Sequence, residues 1–216
     1  DLLYATLERY GFSEGTYRAD PGDGLTLHDA MITNAVRCAP PQNKPIGAEM
    51  ANCRPFLAAR IAALGQRRLV VTGGEPMLQA PALAQLLALL PDVTVEIETN
   101  GTAFPPPKLE VWVDQFNISP KLTHSGNARE LAIVPAVLRR YASDGRAFFK
   151  FVVAEPADVE EVREVVRANA LPRGRVFVMA EGTDGATLRA RQDWLVPLCL
   201  EHGYRLSDRL HIHLFG

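Results

Sequence analysis

The sequence predicts an α/β fold with a parallel sheet, arranged as an open sheet or as a partial (β/α) barrel. From about residue 69 onward, short apolar runs alternate with amphipathic stretches, which is typical of parallel strands joined by helical crossovers. Polar or glycine-rich motifs follow the ends of these runs, at the edge where such folds form their sites. About six strands are predicted there, which is too few for a closed barrel of eight.

The first part of the chain predicts a shorter α/β segment. We expect a helix over residues 2–10, a polar loop over 15–24, a strand over 30–36 and a helix over 48–64 that ends at Gly65. Residues 38–45 are rich in proline, which excludes a regular helix. The character of the sequence changes after this helix, and we predict two domains, one over residues 1–64 and one over 65–216.

The second domain is predicted in more detail. A buried strand is expected over 68–72, and further strands over 93–97, 116–118, 148–153, 176–179 and 210–215. Helices are expected over residues 83–90, 131–141, 157–169 and 188–202.

Composition and charge narrow the class of protein. The 216 residues carry a net charge of -2, which provides no strong field for nucleic acid or a membrane surface. No apolar run approaches the roughly 18 residues of a membrane span, and no signal peptide is visible, so we expect a cytoplasmic protein without membrane partners. The odd number of cysteines argues against a disulfide framework, and Cys199, on an apolar helix, is interpreted as a core residue.

Motifs after the predicted strands supply the candidate site residues. Gly73 and Gly74 would let a ligand approach the backbone closely, and the Glu75 carboxylate could accept hydrogen bonds from an ammonium group. An ordinary turn between strand and helix would give the same pattern. Ser119 and Lys121 place a hydroxyl and an ammonium on a loop stiffened by Pro120, although a solvated lysine explains Lys121 equally well.

Taken together, these motifs resemble the 7-carboxy-7-deazaguanine synthase family, which is a family of radical S-adenosylmethionine (SAM) enzymes. The resemblance rests on VTGGEP at residues 71–76, EIETNG at 96–101, FNISPK at 116–121, FKFV at 149–152 and LHIH at 210–213. It covers about 145 residues and implies a partial (β/α) barrel of the radical SAM type, usually a homodimer. It also implies a [4Fe-4S] cluster, SAM, Mg²⁺ and a flavodoxin-type reductant.

The family's reaction is the ring contraction of 6-carboxy-5,6,7,8-tetrahydropterin during queuosine-type deazapurine synthesis, a carbon–nitrogen lyase reaction. By this resemblance Gly73, Gly74 and Glu75 would bind the methionine end of SAM, and Thr72 would touch the pterin substrate. The resemblance also assigns residues that line the rest of SAM, with the last four near its adenine: Ser119, Pro120, Lys121, Met179, Ala180, Glu181 and Gly182.

The cysteine pattern departs from this family. Radical SAM enzymes usually hold the cluster with a C-x3-C-x2-C loop, and the sequence has no such spacing. Cys38 and Cys53 are separated by 14 residues instead. Whether the chain is an active enzyme is therefore left open by its sequence.

The first 60 or so residues resemble a different family, the iron–sulfur uracil-DNA glycosylases of the family-4/5 type. The matching segments are ITNAVRC at 32–38, APPQNKP at 39–45 and EMANCRPF at 49–56. In that family the positions of Cys38 and Cys53 supply two of the four ligands of a structural [4Fe-4S] cluster. Three readings therefore stay open: a deazaguanine-synthase-type protein, a glycosylase-related fragment that acts on DNA, and a non-catalytic composite α/β protein.

Overall fold

The computed structural model describes residues 2–18, 20, 22–28, 30, 32, 46–63, 65 and 68–215. The chain divides into two compact units, residues 1–57 with residue 215 and residues 58–214 with residue 216. Part of the strand predicted over 30–36, and Cys38, lie outside the described residues. The domain boundary predicted between residues 64 and 65 stays a prediction.

The described part of the first unit begins with helix α1 at Leu2–Arg9, followed by a small antiparallel pair of strands, β1 at Ser13–Glu14 and β2 at Thr26–Leu27. The Tyr4 ring stacks on the Tyr17 ring with 3.7 Å between their centroids. Helix α2 at Gly47–Ala63 begins in this unit and continues into the second. The helices predicted over 2–10 and 48–64 are confirmed.

The second unit is built on a parallel sheet. Its described strands are β3 at Arg68–Val71, β4 at Thr94–Thr99, β5 at Gln115–Ile118, β6 at Ala147–Val153, β7 at Val176–Ala180 and β8 at Arg205–Ser207. They lie side by side in chain order, and every neighbouring pair is parallel. The predicted α/β class with a parallel sheet is therefore confirmed.

Helices connect these strands and cover one face of the sheet. They are α3 at Ala80–Leu87, α4 at Pro107–Glu110, α5 at Arg129–Ala132, α6 at Pro135–Ser143, α7 at Pro156–Ala168 and α8 at Gly185–His202. The single helix predicted over 131–141 is wrong, because the chain forms two helices there. Pro135 disfavours helical geometry at the residue before it, and Val134 is extended, with φ -107° and ψ 96°.

The C-terminal prediction is also wrong. Residues 210–215 form a helix, α9 at Leu210–Phe215, and the sixth strand of the sheet is the three-residue segment Arg205–Ser207. The histidines at 211 and 213 alternate with apolar residues, which imitates the period of a strand. Strand β8 is short and largely exposed, so its sequence carries little apolar signal.

Strand β3 was expected to be buried, and the structure corrects this. Leu69 and Val71 are half-buried, while Val70 is 48% exposed. Among the described residues β3 pairs with β4 alone and so forms an edge of the sheet. One side of β3 therefore lacks the neighbouring strand that would bury it.

The core fills the space between the sheet and its helices. Alternate strand residues such as Ile97, Phe116, Phe149 and Val178 are fully buried on that face. They pack against helix residues that are also fully or almost fully buried: Leu87, Leu138, Val162, Leu188 and Leu195. Cys199 is 4% exposed on α8, which confirms it as a core residue. Among the helices that are described, none is both long enough and apolar enough to cross a membrane.

Candidate functional site

The face of the sheet that points away from the core is polar. It forms a cleft of about 390 Å³ lined by Glu98, Gln115, Asn117, Phe148, Lys150, Phe177, Arg205 and Ser207. Parallel sheets are usually covered on both faces by apolar packing. Concave surfaces of this size with a few converging polar groups are typical of small-molecule sites. This polar face is therefore the first candidate for a ligand surface.

Hydrogen bonds order one end of the polar face. Arg68 Nη1 donates to Glu96 Oε1 at 2.6 Å, and Asn117 Nδ2 lies 3.4 Å from Glu96 Oε2. Gln115 Nε2 donates to Asn117 Oδ1 at 2.9 Å. The ammonium of Lys150, by contrast, has no hydrogen-bonding or ionic partner in the described part of the chain, so its charge is available to an anionic ligand.

Two aromatic rings form the apolar part of this face. Phe148 and Phe177 meet edge to face with 6.1 Å between ring centroids, and the Arg205 guanidinium lies 5.5 Å from the Phe177 centroid. Aromatic rings beside cationic groups suit a flat ligand that carries negative charge.

The Glu75 carboxylate joins the loops that follow β3 and β4. Its Oε1 accepts hydrogen bonds from the Met77 backbone N–H at 3.0 Å and from the Thr99 hydroxyl at 2.7 Å. Its Oε2 accepts one from the Asn100 backbone N–H at 2.8 Å. A carboxylate offers about four lone pairs, so one acceptor position remains for a ligand donor.

The glycines before Glu75 leave open space at the carboxyl edge of the sheet. A Cβ placed on Gly73 or Gly74 would meet no atom within 4 Å. Gly73 has a φ of 135°, a conformation that other residues rarely adopt. Beside them, the Thr72 hydroxyl donates to Glu98 Oε2 at 3.2 Å, which connects this loop to the polar face.

The loop after β4 is shaped by a close approach of backbone to the core. Gly101 has a φ of 78°, and a Cβ there would lie 2.5 Å from a methyl carbon of Ile118. Asn100 Oδ1 accepts from the backbone and the hydroxyl of Thr102, at 2.9 and 2.7 Å. These contacts fix the Asn100 backbone N–H that donates to Glu75.

The loop after β5 carries Ser119, Pro120 and Lys121. The Ser119 backbone N–H donates to the Thr99 carbonyl at 2.8 Å, so this loop is tied to β4. Pro120 is buried and Lys121 is exposed. No ion pair or hydrogen bond engages the Lys121 ammonium within the described ranges, and it is free to meet a carboxylate.

The end of β7 contributes Met179 and Ala180, and the segment after it contributes Glu181 and Gly182. Met179 is half-exposed, whereas Ala180 and Gly182 are buried. Arg191 Nη1 donates to the Glu181 carbonyl at 2.5 Å and lies 3.4 Å from its carboxylate. Met179 and the Glu181 backbone thus present the accessible part of this segment.

All the predicted carboxyl-edge residues lie where the strands of this one sheet end. Sequence reasoning missed the residues inside the strands, of which Glu96, Asn117, Lys150 and Arg205 are the most polar. Their signal was the alternation of polar and apolar residues within each strand, which marks a sheet with one buried face.

The cysteines that the structure describes, Cys53 and Cys199, do not form a metal site. Cys53 is half-buried on α2, and Cys199 is buried on α8, where burial raises the pKa of its thiol. No group of three or more metal-binding side chains was found within the described residues. The predicted iron–sulfur role of Cys38 and Cys53 therefore stays a prediction.

The fold and the site together define an α/β protein with a ligand surface along the polar face and carboxyl edge of one parallel sheet. Its similarity to known proteins shows the family to which it belongs. A 7-carboxy-7-deazaguanine synthase of Pyrobaculum aerophilum is 40% identical over 152 residues, which cover 68% of this chain and 65% of that protein. One from Hyperthermus butylicus is 32% identical over 217 residues, covering 97% of this chain and 89% of the relative.

A second family is also represented. The model of the Uracil DNA glycosylase superfamily matches residues 1–152, and a type-5 uracil-DNA glycosylase of Mycobacterium tuberculosis is 42% identical over 76 residues, 34% of this chain and 28% of that protein. The chain therefore belongs to the 7-carboxy-7-deazaguanine synthase family and, through residues 1–152, to the Uracil DNA glycosylase superfamily.

The crystal structure of QueE from Escherichia coli is similar in fold. It is 22% identical, with a TM-score of 0.50, over 72% of this chain and 63% of that chain. Several synthase relatives are matched over slightly less than two thirds of their own length, 65% for the Pyrobaculum aerophilum protein.

Proposed function

We propose that the second unit is a SAM-binding partial barrel of the radical SAM type, whose polar face receives a carboxylated pterin as in 7-carboxy-7-deazaguanine synthesis. The observation that carries the proposal is the continuity of the polar cleft with the open glycine loop. Thr72 joins the two through its hydrogen bond to Glu98, a residue that lines the cleft. Membership of the synthase family supports the same assignment.

The residues at the carboxyl edge fit the chemistry of SAM. The open backbone at Gly73 and Gly74 has room for the methionine end, and Glu75 retains an acceptor position for its ammonium. Lys121 supplies a free cation for the methionine carboxylate, and Ser119 and Pro120 flank it. Met179, Ala180, Glu181 and Gly182 would then surround the adenine, with Met179 as the exposed apolar contact.

The polar face fits a flat, anionic substrate. Phe148 and Phe177 offer ring edges and faces to a bicyclic pterin, and Lys150 or Arg205 could hold its carboxylate. Thr72, which precedes the glycine loop and donates to Glu98 in the cleft, would lie between the two ligands and contact the substrate.

The family's cluster does not fit the residues of this chain. A SAM-cleaving [4Fe-4S] cluster keeps one iron open and takes three thiolates from a compact loop. Here Cys199 is buried in the core, and Cys53 lies on α2, so they do not form such a loop. We therefore derive no cluster-dependent step. The Mg²⁺, the homodimer and the flavodoxin-type reductant stay predictions from the family resemblance.

SAM binding can be tested without the cluster by isothermal titration of SAM into the purified chain. Gly74→Val should abolish SAM binding, because the added side chain would occupy the open space proposed for the methionine end of SAM. No atom lies within 4 Å of a Cβ placed at Gly74, so the substitution should not disturb the fold. The matched control is Gly145→Val, where a Cβ also meets nothing within 4 Å but which lies before β6, at the opposite edge of the sheet.

A charge variant gives an independent readout. Lys121→Ala should weaken SAM binding by about 10- to 100-fold, since a charge-assisted hydrogen bond is worth about 1.5–3 kcal/mol. Lys108→Ala removes an equally exposed lysine from α4 and should leave binding unchanged. Equal SAM affinity for wild type, Gly74→Val and Lys121→Ala would contradict the proposed location.

The match to the glycosylase family model favours a second candidate function, in which the first unit takes part in the excision of uracil from DNA. Its test is release of uracil from a uracil-containing oligonucleotide. We expect no excision, because the net charge of -2 gives weak attraction to the phosphate backbone. Measurable excision that is lost in Cys53→Ser would favour this candidate over the synthase assignment for the first unit.

A further inference from the structure

A second cavity lies at the opposite edge of the same sheet. It has a volume of about 530 Å³ and is bounded by the last turns of α7 and α8 and by the segments that lead into β7 and β8. Arg173 precedes β7 and Tyr204 precedes β8, so the cavity is at the amino ends of these strands. Strand β7 has five residues, which separates the cavity from the carboxyl-edge motifs by about 15 Å.

The cavity carries an excess of positive charge. Arg163 is paired with Glu160 at 2.5 Å, whereas Glu164 lies 3.4 Å from Arg129, which also pairs with Glu161 at 3.1 Å. Arg167 and Arg173 also line the cavity, and no described side chain or carbonyl pairs with either of them. Three guanidinium groups and two carboxylates among the lining residues therefore leave a net positive charge.

Two further polar groups point to a ligand. His202 Nε2 is buried and has no hydrogen-bond partner among the described residues, although such groups are nearly always satisfied. The His202 ring lies 5.7 Å from the Tyr204 ring, and Tyr204 is 9% exposed. Burial raises the pKa of the Tyr204 hydroxyl, and the nearby charges of Arg173 and Arg163 oppose that rise. The hydroxyl thus stays protonated near neutral pH and can donate.

The dipole of helix α7 gives a simpler explanation for the position of Arg167. A cation in the last turn of α7 is favourable, which explains Arg167 without any ligand. It does not explain Arg173, which lies outside that helix, or the unpartnered nitrogen of His202. The carboxyl ends of α7 and α8 also oppose anion binding, so the two free arginines must more than offset them.

We propose that this amino-edge cavity binds a diphosphate group, with Arg167 and Arg173 holding its oxygens and the Tyr204 hydroxyl donating a further hydrogen bond. Guanidinium groups match phosphate oxygens in pairs, and two of them balance a multiply charged anion. The volume lies within the range of small-molecule sites and exceeds what a single phosphate fills. The proposal does not depend on the function proposed above.

The test is isothermal titration of the full chain with inorganic pyrophosphate and, separately, with adenosine 5′-diphosphate. The double variant Arg167→Ala/Arg173→Ala should bind pyrophosphate at least about 100-fold more weakly, because each lost charge-assisted contact is worth about tenfold or more. Both side chains are exposed, so the variant should fold, and its circular dichroism and melting temperature verify this. The control Arg139→Ala removes an exposed, unpaired arginine of α6 and should bind like wild type.

The two probes distinguish the source of the diphosphate. Tighter binding of adenosine diphosphate than of pyrophosphate would support a nucleoside diphosphate as the occupant, and equal binding would support the free anion. No pyrophosphate or adenosine diphosphate binding to wild type at millimolar concentration would overturn the proposal. Equal affinity in wild type and the folded double variant would overturn it as well.

Discussion

The Glu75 carboxylate is expected to be the main connection between the loops that follow β3 and β4, and Glu75→Gln tests this. The glutamine amide has nearly the same shape as the carboxylate. Its oxygen can still accept from Met77 and Thr99, but its NH₂ group would face the Asn100 backbone N–H, donor against donor.

The size of the effect follows from the three hydrogen bonds. One charge-assisted bond is lost, at about 1.5–3 kcal/mol, and two change from charged to neutral, at about 1 kcal/mol each. Glu75 is half-buried, so water can satisfy part of what is lost. We therefore expect the free energy of unfolding to fall by about 3 kcal/mol.

Urea denaturation followed by circular dichroism measures this change, and the slope of the unfolding free energy with urea should stay constant. The control is Glu130→Gln on α5, an exposed carboxylate without a partner in the structure as described, which should change stability by less than about 0.5 kcal/mol. If the two variants are equally stable, Glu75 does not join the loops in the way the contacts indicate.

Three further predictions concern backbone fit and burial. Gly101→Ala should destabilise the chain by about 2 kcal/mol more than Gly126→Ala, because both glycines have positive φ but only Gly101 has a methyl carbon 2.5 Å from its ideal Cβ position; urea denaturation compares the two. Burial raises the pKa of Tyr141, so the folded state holds its proton more tightly. Stability should therefore fall as pH rises above about 10, by up to about 1.4 kcal/mol per pH unit, and Tyr141→Phe should remove this component of a pH titration of unfolding. Ala170 has a φ of 53°, so Ala170→Gly should raise the unfolding free energy by about 0.5 kcal/mol; a lower melting temperature would contradict this.

The fold was largely predictable because its strands and helices have distinct hydrophobic periods. The strand predicted over 148–153 and the helix predicted over 157–169 agree closely with β6 and α7. The errors occur where tertiary contacts, rather than the local sequence, determine the secondary structure. Strand β8 is formed by pairing with β7 rather than by an apolar run, and α9 is a helix although its own sequence has a strand-like alternation.

The candidate site was predictable where it consists of contiguous motifs. Gly73, Gly74 and Lys121 follow strand ends, and a parallel sheet brings such ends to one edge. The polar face could have been predicted from the alternation of polar and apolar residues in the strands. Which face of the sheet is left without packed helices, however, depends on the whole sheet. The amino-edge cavity is lined by Arg167, Arg173 and His202, which lie on three different elements, so no contiguous sequence motif predicts it.

The most direct test of the central claim is the EPR spectrum of the chain after anaerobic reconstitution with iron and sulfide and reduction, recorded with and without SAM. The sequence has no C-x3-C-x2-C loop, and Cys53 and Cys199, the cysteines that the structure describes, form no metal-binding group. We therefore predict that any [4Fe-4S]⁺ signal is unchanged by SAM. A signal that shifts when SAM is added would show a SAM-coordinating cluster and would contradict the account.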